Sequence, residues 1–177
     1  MKTIASIDVL GEETPFLRRV VVDSVCVLVA GVLVGAALVA TGLVAWSGTG
    51  MTWLLACVAT VASFFVHELV HGALFKLLGG SDVHVSFGVV TGMLYTDAHG
   101  ATLPRGRFVV VLLGPAVLVT LALLVGGVAL GCPLEGWVAA MLHLSGCTGD
   151  TGMVREILAC PEATHVRDTH TGIDLLA

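Results

Sequence analysis

The stretch MTWLLACVATVASFFVHELVHGALFK, residues 51–76, decides how this chain is read. From Met51 to Phe75 it is one apolar run, long enough as a helix to cross the roughly 30 Å hydrocarbon core of a bilayer, and Lys76 closes it. Its later half holds three ionisable groups, His67, Glu68 and His71. Two histidines four apart on a helix point to one side and can grip a single metal ion. The glutamate beside the first can deprotonate a water held there. Ionisable side chains among lipid-facing residues are costly, so their presence here marks a functional site.

The flanking sequence extends the membrane reading. Val25 to Val44 is an uninterrupted run of 20 residues, about 30 Å as a helix. It contains Gly31-x-x-x-Gly35, a spacing that admits close approach of another helix or is simply tolerated in a membrane span. Ser47-Gly48-Thr49-Gly50 links the two runs, and Gly79-Gly80 ends the second. Val83, Val85 and Phe87 then alternate with His84 and Ser86, and a β-prone run follows through Tyr95, which reads as a short hairpin over 82–97. A third apolar run, Phe108 to Leu130, is interrupted by Gly114-Pro115, and that proline kinks the helix or opens backbone carbonyls inside the bundle. The fourth, Trp137 to Cys147, is too short to span alone. It runs into the glycine-rich Gly146-Cys147-Thr148-Gly149-Asp150-Thr151-Gly152, which reads as a discontinuous helix lining a polar cavity.

These segments predict a membrane all-α bundle of about four transmembrane helices, with a small β-hairpin between the second and third. One domain covers 1–177: a cytosolic segment 1–19, membrane segments 20–46, 51–78, 107–131 and 134–149, the hairpin, and a cytosolic tail 159–177 in which a strand or two stays open. All eight basic residues fall on one side of such a bundle, the positive-inside pattern, so both termini and the hairpin face the cytosol.

Composition agrees. The chain is 56% hydrophobic and 12% charged, with mean hydropathy +1.00, which excludes an ordinary soluble domain. A net charge of −5 and the absence of a basic patch exclude a nucleic-acid partner. Asp8, Glu12 and Glu13 before a long first apolar run argue against a cleavable signal. Five scattered cysteines (Cys26, Cys57, Cys132, Cys147, Cys160) read as small hydrophobes rather than a disulfide framework.

A catalytic zinc site needs three protein ligands and one open position. His67 and His71 supply two, and Asp150 is the best third, with capping of the following helical turn as its alternative. Glu68 is the general base. His143, seven residues before Asp150, shares its face on a continuous helix; it orients a ligand, binds an oxyanion or bonds within the bundle. His84, His99, His165 and His170 read as solvated surface, and Asp23 as an interface residue.

The ordered strings HELVHGALFKLLGG (67–80), LLGPAVLVT (112–120) and HLSGCTGD (143–150) resemble a zincin-peptidase family of small prokaryotic membrane proteins, similar in outline to site-2 intramembrane metalloproteases. The resemblance covers about residues 55–160 and implies zinc on His67, His71 and Asp150 with Glu68 as base. Site-2 proteases typically present Asp-Gly after an Asn-Pro turn, whereas Asp150 here stands between Gly149 and Thr151. The expected function is Zn2+-dependent cleavage of a membrane protein or peptide near the cytosolic face of a prokaryotic cell membrane. The alternative is a non-catalytic metal-binding membrane protein with a structural or sensing role.

Overall fold

The computed structural model describes residues 1–9, 15–46, 48–80, 82–90 and 93–177. Glu12, Glu13, Ser47 and residues 91–92 of the expected hairpin lie outside the described residues. Strand β1 (Thr3–Asp8) precedes helices α1 (Pro15–Ala40) and α2 (Gly50–Gly79). Then come β2 (Ser86–Val90), β3 (Met93–Asp97) and β4 (Thr102–Pro104), which runs directly into α3 (Arg105–Ala129). The chain finishes with α4 (Pro133–Gly146), α5 (Thr148–Ala159), β5 (His165–Thr169) and β6 (Gly172–Leu176).

Local chemistry sets several boundaries. Thr49 caps α2: its hydroxyl accepts the Thr52 N–H while the Thr52 hydroxyl accepts the Thr49 N–H. Pro133 begins α4, where a missing N–H costs nothing. Gly131, at φ +71°, makes the tight turn from α3 to α4.

Helices α1, α2 and α3 are long and apolar enough to cross a membrane. They turn Val25, Val29, Val32, Leu54, Val58, Val61, Leu118, Leu121 and Val125 outward, an apolar coat that water would not tolerate and lipid does. α2 is polar on the inside instead: its buried stripe is Thr60, Ser63, His67, His71 and Phe75. Helix α4 has 14 residues, about 21 Å, so it falls short of a span by itself.

Glycine seams draw the helices together. A Cβ on Gly127 would stand 2.6 Å from Gly136 Cα, so α3 and α4 touch backbone to backbone. A Cβ on Gly31 would stand 2.7 Å from Met141 Cγ, and Trp137 Nε1 donates to Gly31 O at 3.0 Å. The Gly31-x-x-x-Gly35 spacing therefore serves packing against α4 of the same chain. Arg155 pairs with Asp23 (2.7 Å) and Arg19 with Glu156 (3.1 Å), clasping α5 to α1.

The all-α expectation is corrected. A four-stranded antiparallel sheet, ordered β1-β6-β5-β4, caps one end of the bundle, and β2-β3 form a separate two-stranded hairpin. Within the expected cytosolic segment 1–19, Thr3–Asp8 is an edge strand paired to β6. The tail alternates, with Val166, Ile173 and Leu175 turned inward onto Phe75, Leu103, Phe108 and Ile157. This apolar layer is the main core, and it packs sheet against the ends of α2, α3 and α5. The glycine-rich break is also smaller than its composition implies. Only Cys147 separates α4 from α5, so Asp150 lies in a helical first turn.

Candidate metal centre

On α2 the four-residue spacing brings His67 Nε2 and His71 Nε2 to 3.0 Å. Asp150 reaches both from the first turn of α5, with Oδ2 at 3.1 Å from His67 Nε2 and Oδ1 at 3.4 Å from His71 Nε2. Cys147 is the helix-cap residue of α5, and among the described residues no side chain caps that helix. The capping alternative for Asp150 therefore gives way to a carboxylate aimed at the two imidazoles. Both histidines are buried.

The roles of the ring nitrogens follow from Val111. A carbonyl oxygen only accepts, so His71 Nδ1 carries a proton and donates to Val111 O at 3.0 Å. In the neutral ring, His71 Nε2 then offers a lone pair toward His67 Nε2 and the Asp150 carboxylate. A cation at their meeting point satisfies all three groups at once, and two imidazoles with one carboxylate suit zinc. With Nε2 turned to this cluster, His67 has Nδ1 3.2 Å from His143 Nε2, and His143 Nδ1 stands 3.0 Å from Thr120 Oγ1. Thr120, His143 and His67 thus form one hydrogen-bonded line, the kind of support that orients histidines in metal centres. His143 and Asp150, on either side of the one-residue helix junction, reach the two ring nitrogens of the same His67.

Glu68 sits beside this cluster and is held by the hairpin. Thr96 Oγ1 lies 2.6 Å from Glu68 Oε2 and 3.0 Å from the Glu68 carbonyl oxygen. A family model described as "Putative zincin peptidase" matches residues 58–165. The chain belongs to that family. The zincin match contains His67, Glu68, His71, His143 and Asp150, as well as the whole of α3. Neither a curated protein nor a solved structure matches the chain.

His67, His143 and Cys147 form a second group of close donors. Here the Cys147 thiol donates to the His143 carbonyl oxygen at 3.2 Å, and the two imidazoles bond each other. Cys147 is fully buried, with its sulfur 3.6 Å from His67 Nδ1.

A cleft of about 240 Å³ opens over the zincin cluster, with His67, Glu68, His71 and Asp150 on its floor. Tyr95 and Asp97 of β3 form one wall, and Asp168 to Ile173 of the C-terminal hairpin form another. Burial pushes Asp97 upward, but the His99 amide and the His99 and His170 rings outweigh it and hold its carboxyl below the usual range. Burial pushes Asp168 up to about 7, despite a 2.8 Å hydrogen bond from the Ala98 N–H.

Sequence reasoning missed Thr96, Thr120 and this acidic rim. Threonines in apolar or β-prone runs carry no local mark of function. His99 and His170 are exposed, yet both pair with Asp97, at 3.2 and 3.3 Å. His84 is exposed without entering the cleft, and His165 is half-buried beside Thr164.

Proposed function

We propose that the chain is a zinc-dependent intramembrane or membrane-associated peptidase that hydrolyses a peptide bond near the cytosolic face. The observation that carries this reading is the His67–His71–Asp150 cluster with Glu68 beside it on the floor of an open cleft. When bound, zinc acidifies water and polarises a peptide carbonyl. Glu68, fixed by Thr96, takes the proton from the attacking water and hands it to the departing amine. The substrate enters extended along β3, whose other edge carries β2, because a membrane helix must unwind before its amide is reachable.

The same reading covers topology. α4 and α5 together return the chain to the sheet end, making a fourth crossing, and the basic residues gather at that end. The positive-inside pattern supports a topology in which both termini, the sheet and the cleft face the cytosol of a prokaryotic cell.

The test uses the purified full chain in detergent with a peptide library spanning membrane-protein segments. Glu68→Gln is expected to keep zinc and lose cleavage. Full cleavage by zinc-loaded Glu68→Gln refutes the mechanism. A wild-type protein that binds zinc through four protein ligands and cleaves nothing favours the structural or sensing role instead.

A further inference from the structure

Helix α3 has a proline in its interior, Pro115, fully buried. Proline has no N–H, so the carbonyl four residues earlier has no donor within the helix, and the ring crowds that carbonyl off the helix axis. Four residues before Pro115 is Val111, whose carbonyl oxygen is the acceptor for His71 Nδ1–H at 3.0 Å. The preceding Gly114 lets α2 come close: a Cβ there would stand 2.2 Å from Leu74 Cδ1.

We propose that Pro115 is a positioning residue for the metal, whose missing N–H reserves the Val111 carbonyl for His71 and so turns His71 Nε2 toward His67 and Asp150. With any other residue at 115, the backbone N–H occupies Val111 O and draws it along the helix axis. His71 then loses an undivided acceptor, and its ring is free to rotate or change tautomer. Thr120, nine residues after Val111 on α3, reaches the other imidazole through His143. One helix therefore orients both histidines from behind, once with a backbone oxygen and once through a side-chain relay.

This inference rests on the zinc reading through His71 alone. Zinc affinity of the full chain in detergent is measured by chelator competition for wild type, for Pro115→Ala, and for protein carrying lactic acid at 115, whose ester has neither N–H nor ring. Pro115→Ala is expected to bind zinc about 10- to 100-fold more weakly. Its Co2+ form is expected to lose the sharp exchangeable proton signal of His71 Nδ1–H. The ester protein is expected to bind as wild type does and to keep that signal. Wild-type affinity in Pro115→Ala overturns the inference. So does an ester protein that binds weakly, because the effect then belongs to ring packing; this arm decides the question even if Pro115→Ala does not fold. His71→Ala separates the two levels. Undiminished zinc binding in His71→Ala sinks the zinc reading, whereas zinc lost there but retained in Pro115→Ala sinks only the role of Pro115.

Discussion

Replacing Asp168 by Asn should stabilise the protein, and the gain should depend on pH in one direction. The Asp168 carboxyl, on β5 of the C-terminal hairpin, is buried against Ala98 at the end of β3, and burial raises it from 3.8 to about 7. Between those values the folded state holds a proton that the unfolded chain releases, so stability falls as pH rises from about 4 to about 7. That gap, at 1.36 kcal/mol per pH unit, caps the loss at about 4 kcal/mol above pH 7. Asparagine keeps an oxygen for the Ala98 N–H and removes the ionisation. The gain should therefore be small near pH 4 and full above pH 7, where a few kcal/mol raises Tm by roughly 10 °C in a chain of this size. Thermal unfolding of detergent-solubilised wild type and Asp168→Asn at pH 4, 6 and 8 measures it. An equal shift at all three pH values, or destabilisation at pH 8, refutes the assignment of the cost to a buried carboxylate.

Two further outcomes follow from the packing around the site. His143→Ala leaves the buried His67 Nδ1–H without its acceptor and should weaken zinc about 10- to 100-fold in chelator competition; unchanged affinity would make His143 a bundle residue only. Gly127→Ala puts a methyl against Gly136 Cα, where backbone cannot yield. It should cost about 1–3 kcal/mol, read as a lowered Tm, with an unchanged Tm arguing against the close α3–α4 crossing.

The parts of the fold that sequence reveals are those written over a few residues. His67 and His71 lie one helical turn apart, and His143 and Asp150, on either side of the one-residue junction at Cys147, reach the same His67. Pro115 announces a freed carbonyl by covalent structure alone, although nothing local says that His71 will take it. The sheet is different in kind. Thr3 pairs with Leu176 across almost the whole chain, and neither segment is distinctive by itself. Asp97 and Asp168 meet at the cleft from two sheets, so their chemistry exists only after folding. The glycine-rich 146–152 stretch misleads for a related reason. Gly146 is small because Phe64 fills its place, so its glycine reports packing rather than a break.

The pairing of β1 with β6 also sets an order in time. Strand β1 is synthesised before its partner β6, which follows only after every described helix has been made. At about 5–20 residues per second, the first strand waits on the order of ten seconds for that partner. The β5–β6 hairpin also supplies one wall of the cleft, from Asp168 to Ile173. A nascent chain thus carries its histidine pair, its glutamate and its aspartate before the second wall of the cleft exists. The wall that β5 and β6 give the cleft is therefore made later than the residues it faces.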